Sequence, residues 1–526
     1  MAVFFKESIK GPVIRVLAAI CSGILLTAAF PKAGWSWLAW FAFLPLFFAV
    51  RNKSWWQAFK LGLIMGMVHY LGLVYWVDGV MRQYGGLSWY ASVPLLFLLS
   101  FYLSIYVAVF TAFTRKGPIQ PMTHLALAPA LWVALEYART YFFTGFPWGL
   151  LGHTQYQNLE IIQISDATGA YGVSALIILV NYGLYLLGAS LYSGTLFGPT
   201  LPRKKGLLAV VAAGLALGGA WYYGQVSVQG LQNSFKDSPS LEVVIVQGNI
   251  DQNLKWNPAY QEHTVNTYVR LTKGALTKNT ELVVWPESAM PFYFSATEPF
   301  LTARVLTAAR ENHTFLLTGS MSFERTDGDP LFYNSAFLIG QNGKILGKYD
   351  KAHLVPWGEY VPLKKYMPFI NNLVEQVSDF SAGREGQAIS ANGARLGVLI
   401  CYEIIFPALA RHQVLEGANL LVTITNDAWF GRSSAPYQHF STAVFRAVEN
   451  HRSVARAANS GISGFVDPTG KILEPTELFE EAARNAVLPI LNQTTIYTRY
   501  GDVFCFICMG LALMLLIFAR KNMPSL

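Results

Sequence analysis

The chemistry-bearing residues of this chain lie where apolar, β-prone runs end. Cys401 sits in LGVLICYEIIFPALA (396–410), where Leu396, Val398 and Ile400 read as a strand and Pro407 suits the first turn of a helix. A thiol at such a junction is either a small buried hydrophobe or a nucleophile held at the top of a sheet. Glu287 follows a strand in ELVVWPESAMPF (281–292), the position at which open α/β sheets build their sites, although a lone acid there also reads as an exposed loop residue. Lys351 lies in GKYDKAHLVPWGEYVP (347–362). Upstream of it, Asn342–Gly343 between two apolar runs predicts a type I′ hairpin. The second strand of that hairpin delivers Lys351, His353 and Glu359 together; a single lysine is ordinarily a surface group. A third run, NLLVTITNDAWFG (419–431), ends in a polar turn, and 436–457 reads as an amphipathic helix.

The elements that must position these residues belong to a chain of two characters. Of 526 residues, 53% are hydrophobic and only 13% charged, far from the balance of an ordinary soluble domain. The excess is concentrated in uncharged runs near the ~20 residues that cross a bilayer. Eight are expected: 12–30, 35–50, 57–78, 87–113, 122–139, 166–193, 206–223 and 502–519. Residues 240–490 contain none and alternate short β-rich and amphipathic segments, as a soluble α/β domain does. The expected organisation is a seven-span bundle (1–228), a catalytic domain (240–490) and an eighth span (502–519).

Lys and Arg set the orientation. With the N-terminus inside, the inner flanks hold Lys6, Lys10, Arg15, Arg51, Lys53, Arg115, Lys116, Arg203, Lys204, Lys205, Arg520 and Lys521, whereas the short outer connections hold Lys32, Arg82 and Arg139. This positive-inside bias puts both termini in the cytoplasm and 240–490 outside. It also accounts for the net charge of +8, so no nucleic-acid partner is expected. Cys21, Cys505 and Cys508 fall within spans, which leaves Cys401 as an exported thiol without a partner.

At this point the motifs resemble a known family. Glu287 in W-P-E-S, Lys351 in Y-D-K-A-H-L-V-P-W-G-E-Y and Cys401 in I-C-Y-E are similar to the Glu–Lys–Cys triad of the nitrilase superfamily, whose fold is an α-β-β-α sandwich. Seven spans, such a domain and one further span are the layout of the bacterial apolipoprotein N-acyltransferase family. TGFPWGLLGHTQ (144–155) and KWNP (255–258) resemble that family's stretches as well. The resemblance implies a multi-span α-helical bundle with an extracytoplasmic nitrilase-like domain, in the bacterial inner membrane with that domain periplasmic. It further implies a phospholipid acyl donor, a diacylglyceryl-modified apolipoprotein acceptor, and Glu359, Trp256, Tyr402 and Glu403 in or near the pocket.

The roles then follow from chemistry. Glu287 accepts the Cys401 proton, Lys351 lowers the cost of the thiolate and faces the oxyanion, and the Tyr402 N–H adds a second donor. Glu359 orients Lys351 or the incoming amine. A thioester forms, lysophospholipid leaves, and an amine takes the acyl group in ping-pong order. Packing remains the competing reading for Trp256 and Tyr402, and a helix-start carboxylate for Glu403. An apolar, basic stretch at 361–376 is expected to be either a lid or a surface loop. His353 and His439 lack metal-ligand spacing with other residues, so neither a metal nor a cofactor is expected. SDATGAYG (165–172) lacks the strand and Lys-Ser/Thr of a phosphate loop. Two alternatives are a membrane-anchored nitrilase-type amide hydrolase, which transfers to water, and a transporter, which calls for repeated or broken spans lining a path.

Overall fold

The computed structural model describes residues 11–115, 121–191, 201–294, 297–325, 327–361 and 380–521. The chain divides into two compact units, Met1–Ser227 with Tyr500–Leu526, and Val228–Arg499.

The first unit is helical. Among the described residues, four helices are long and apolar enough to cross a membrane: Pro12–Ala29, Trp89–Thr114, Ala170–Leu191 and Arg203–Asp237. Trp55–Leu73 and Trp76–Gln83 together make a fifth, bent by 53°. Pro121–Tyr141 and Val503–Lys521 cover the fifth and eighth expected segments. The 35–50 segment differs from expectation. It forms a 3-10 turn, Ser36–Trp40, and a separate helix, Leu44–Val50, with proline in its first turn. Seven residues rise only about 10 Å, a third of a hydrocarbon core. The seventh segment instead runs on, to a 35-residue helix.

Glu136 and Arg139, one turn apart and buried, are 4.0 Å from each other. Their stronger bonds go to the 148–151 turn. Arg139 donates to the carbonyls of Trp148 and Gly149 at 3.0 and 3.2 Å, and Glu136 accepts the Leu151 N–H at 2.7 Å. Buried charges need such partners, so structure accounts for this pair.

The second unit contains, among its described residues, strands β1 (Ser240–Gln247), β2 (Leu282–Val284), β3 (Met290–Tyr293), β4 (Phe315–Glu324), β5 (Leu331–Ile339) and β6 (Ile345–Asp350). Beyond them come β7 (Ile389–Ala391), β8 (Ala394–Ile400), β9 (Leu420–Thr425), β10 (Ser453–Ala458), β11 (Gly464–Val466), β12 (Ile472–Leu473) and β13 (Ala482–Pro489). One sheet runs β13-β1-β2-β4-β5-β6, with β3 beside β4; the other runs β12-β11-β10-β9-β8-β7.

Parallel neighbours require crossovers, and helices supply them. Pro258–Ala275 joins β1 to β2, Pro299–Asn312 leads to β4, Pro407–Leu415 joins β8 to β9, and Ala435–Asn450 joins β9 to β10. Each of the four carries proline in its first turn, where the missing N–H costs nothing. Asn257 caps the first by accepting the Ala259 N–H at 3.0 Å.

Strand periodicity decides the layers. In β1, Val243 and Ile245 point into a core shared with Leu396, Val398 and Ile400 of β8 and Leu420, Val422 and Ile424 of β9. Val244 and Val246 point the other way, against Tyr268, Leu301 and Val305 of two crossover helices. Each such side chain contributes about 1.5–3 kcal/mol of burial, and together they fix the sandwich.

Two local expectations need correction. The 340–344 turn is not type I′. Gly343 is left-handed (φ 74) while Asn342 is not, the Gly343 N–H bonds the Gly340 carbonyl at 2.8 Å, and the Asn342 side chain accepts the Lys344 N–H. With only one left-handed residue the loop is longer and carries a register shift into β6. The helix expected over 436–457 ends at Asn450, where His451 turns left-handed (φ 49), and Ser453–Ala458 becomes β10. Its side chains are buried nearly throughout, so it lacks a solvent face. The 361–376 stretch lies, after Val361, outside the described residues.

Candidate active site

The parallel strands β2, β8 and β9 end on one side of the sandwich, and the turns that follow carry Glu287, Cys401 and Asn426. Lys351 follows β6 directly, its N–H bonded to the Asn334 carbonyl at 2.8 Å. Glu287 and Lys351 therefore come from one sheet, and Cys401 comes from the other.

Cys401 opens a 3-10 turn with φ 54, a left-handed conformation that costs a non-glycine residue energy and persists only where its surroundings enforce it. Two buried groups hold it. The Glu403 carboxylate accepts the Ile400 N–H at 2.7 Å with one oxygen. With the other it accepts the Tyr349 hydroxyl and the N–H groups of Ala352 and His353 at 2.7–3.0 Å. A single carboxylate thereby ties the cysteine turn to the lysine loop. Burial raises its pKa to about 7 against the three backbone N–H bonds and the Lys351 charge. On the other flank, His439 Nε2 lies 3.1 Å from the Cys401 carbonyl, which can only accept, so the imidazole donates there. Its Nδ1 lies 3.0 Å from Asp427 and from Arg456, and Arg456 bonds Asp427 at 2.7 Å. Burial, with Arg456 beside it, lowers the His439 pKa. Although burial opposes it, Arg456 and His439 hold Asp427 down at about 2.

The acid–base set is equally enclosed. Lys351 is 1% exposed; its Nζ donates to Glu359 at 2.9 Å and lies 3.8 Å from Glu287. Burial works against its charge, but Glu359, Glu287 and Cys401 outweigh it, and the pKa rises. The Asn334 amide bridges both acids, donating to Glu287 at 2.7 Å and Glu359 at 2.9 Å. The Asn426 N–H fills the second oxygen of Glu287 at 2.8 Å. Burial, then the Glu287 charge, pushes the Cys401 thiol well above its ordinary value despite Lys351. The resting sulfur is thus a neutral thiol facing the Glu287 carboxyl group. Such a pair moves a proton as the sulfur attacks, with an ammonium ready for the negative charge.

Of the residues read from sequence, Glu287, Lys351, Glu359, Cys401 and Glu403 form this connected set. The Tyr402 ring packs on Phe406 and lies 6.0 Å from that of His353, so packing accounts for its side chain. Trp256 is 40% exposed, immediately after the short helix Gln252–Lys255. Asn334, Asn426 and the His439–Asp427–Arg456 group escaped the sequence reading. An amide in the middle of the apolar strand YNSAFLI was the available signal for Asn334. The Asn426 contribution is a backbone N–H and has no signature. Among the described residues no cluster of three or more His, Cys, Asp or Glu is arranged to hold a metal ion.

Residues 22–183 match the family model described as apolipoprotein N-acyltransferase N-terminal domain, and residues 242–488 match carbon-nitrogen hydrolase. The apolipoprotein N-acyltransferase of Geobacter metallireducens is 45% identical over 510 residues, 96% of each chain. That of Methylococcus capsulatus is 32% identical over 97% of each, and that of Shewanella oneidensis is 32% identical over 89% of this chain and 90% of its own. Among solved structures, Saccharomyces cerevisiae Nit3, a nitrilase-superfamily member, matches at 22% identity with a TM-score of 0.38, over 48% of this chain and 90% of that one. With relatives of one name aligned from end to end and both characteristic domains present in order, the chain belongs to the apolipoprotein N-acyltransferase family.

Proposed function

We propose that this chain N-acylates lipoproteins through an acyl-thioester on Cys401, taking the acyl group from a membrane phospholipid. The observation that carries the reading is the enclosed set in which a neutral thiol, two carboxylates and one ammonium are held by bonds between two sheets.

The Cys401 sulfur attacks the ester carbonyl carbon as its proton passes to Glu287. The tetrahedral oxyanion faces Lys351 and the Tyr402 N–H; one such donor typically contributes about 3 kcal/mol. The carbon–oxygen bond breaks, Glu287 returns the proton to the departing lysophospholipid oxygen, and a thioester remains. The α-amine of a diacylglyceryl-cysteine then attacks the same carbon. Glu287 accepts the amine proton, the carbon–sulfur bond breaks, and the proton returns to the thiolate. Glu359 keeps Lys351 aimed through its 2.9 Å ion pair.

The positive-inside distribution of Lys and Arg supports a bacterial inner-membrane protein with cytoplasmic termini and a periplasmic catalytic domain. In the test, full-length protein is incubated with phospholipid and weighed intact. One acyl adduct is expected, absent in Cys401→Ala and discharged by a diacylglyceryl peptide. An adduct that survives in Cys401→Ala refutes the reading. Discharge to water at the same rate with and without peptide would instead make the chain a hydrolase.

A further inference from the structure

Lys255 is a second buried lysine beside the site, with a use the scheme above leaves unassigned. It ends the helix Gln252–Lys255, is fully buried, and donates its Nζ to the backbone carbonyl of Glu287 at 3.2 Å. Among the described residues no carboxylate lies within ion-pair distance of it. A buried ammonium without a carboxylate in ion-pair reach is expensive, so a fold that retains one has a use for its charge. Its place is closely fixed: Gln252 accepts the Asn426 side-chain amide at 2.7 Å, and Asn459 accepts the Ile250 N–H at 2.9 Å.

The charge count of the site shows that use. Lys351 is already neutralised by Glu359. When Glu287 takes the Cys401 proton, the negative charge moves to sulfur and then to the oxyanion, and the enclosed set carries a net charge of minus one. A second ammonium returns the sum to zero. We propose that Lys255 is the counter-charge of this site, holding the Glu287 turn by its carbonyl and balancing the negative charge that passes from Glu287 to Cys401 and the oxyanion. The assignment rests on the acyl-transfer reading above. Lys255 is a positioning residue, acting through Glu287 and through its field.

The groups that face it are Glu287 from the β2 turn and Cys401 from the β8 turn; Lys351 pairs with both Glu287 and Glu359, and Asp427 acts on Cys401. On its own element Asp251 is engaged in capping. Burial lowers the Lys255 pKa to about 8, although Glu287 and Cys401 raise it. The counter-charge is therefore present below that pH and lost above it.

The test is alkylation of Cys401 by iodoacetamide in the detergent-solubilised full-length protein from pH 6 to 10, read by peptide mass spectrometry so that Cys21, Cys505 and Cys508 do not interfere. Because the thiolate fraction of a thiol below its pKa climbs with pH, the unmodified protein should show this climb interrupted by a step near pH 8, beyond which the rate lies about tenfold below the extrapolated climb, one pKa unit of thiolate stabilisation. Lys255→Met should follow the lower, alkaline line at every pH with no step, and Lys255→Arg should stay on the upper line beyond pH 9. The absence of a step in the unmodified protein overturns the assignment whether or not the variants fold. So does a Lys255→Met protein with unchanged rate and step. Loss of phospholipid-derived acylation in Cys401→Ala, with Lys255→Met unaffected, overturns this assignment alone. Acylation persisting in Cys401→Ala overturns the acyl-transfer reading itself.

Discussion

Replacing Asn334 with aspartate changes one nitrogen to oxygen at the point where two acids meet. The amide donates to Glu287 at 2.7 Å and to Glu359 at 2.9 Å; an aspartate of the same shape presents an anion to both. Like charges about 2.8 Å apart repel by roughly 6 kcal/mol each at an effective dielectric of 20. Taking up one proton among the three carboxylates is the cheaper escape. At pH 7 taking that proton from solution costs about 4 kcal/mol, three units of an ordinary carboxylate near pKa 4. The folded state bears this cost, so Asn334→Asp should lose about 4 kcal/mol of stability at pH 7. The sign of the pH dependence separates this account from simple damage. The folded variant holds a proton that its unfolded chain has released, so Asn334→Asp should recover stability relative to the unmodified protein as pH falls from 8 to 5.5. Asn334→Ala, which holds no such proton, should not. Denaturant titrations across this pH range measure both. Parallel pH profiles for Asn334→Asp and Asn334→Ala, or unchanged stability at pH 7, would refute the bridging role.

Glu403→Gln must turn an N–H toward at least one of four donors and should lose about 1–3 kcal/mol, seen as a lower Tm. Since the Glu403 pKa rises to about 7 in the fold, the native state binds a proton that the unfolded chain releases between roughly pH 4.3 and 7. Stability of the unmodified protein should fall as pH rises through that window, and this component should vanish in the variant's melts. Asp427→Asn leaves Arg456 buried and uncompensated, and should lower stability by about 3–5 kcal/mol in denaturant titrations at neutral pH. The Asp427 contribution is present above about pH 4 and is lost as pH falls through about 2, so acid should narrow the gap between the two proteins. Gly319→Ala places a Cβ 2.6 Å from the Ser288 nitrogen and 2.7 Å from the Glu287 Cα, pushing on the turn that carries Glu287. Acylation and Tm should both fall, with a loss of about 1–3 kcal/mol in stability; an unchanged rate would mean that the turn yields without moving Glu287.

The sequence was legible where one physical rule dominates. Alternation in β1 reads directly as two buried faces, and prolines mark the starts of the crossover helices. Glu287, Lys351 and Cys401 were visible because each follows a strand, where the chain turns and side chains converge. Their supports were harder to see. Asn334 sits inside a strand and works by reaching two acids that are distant in sequence. Lys255 was read only within KWNP, and nothing in that spacing says that its nitrogen meets a carbonyl 32 positions away. Where several rules compete, boundaries slipped. Asn342–Gly343 carries the letters of a tight hairpin, yet only Gly343 is left-handed. The stretch 436–457 has helical spacing throughout, but the pairing of β10 with β9 claims its end.

The division of Glu287, Lys351 and Cys401 between two sheets gives the domain a built-in order of assembly. Before the sheets dock, Cys401 is one more thiol on an extended chain, with neither a base nor an ammonium beside it. Each half can form its own strand pairs without creating a nucleophile. Only when the β8 and β9 residues close onto β1 and β2 does Glu403, next to Cys401, reach the backbone after β6, so core closure and activation of the sulfur are one event. Reactivity at Cys401 would then serve as a kinetic marker of completed folding, arising together with the core rather than with either sheet.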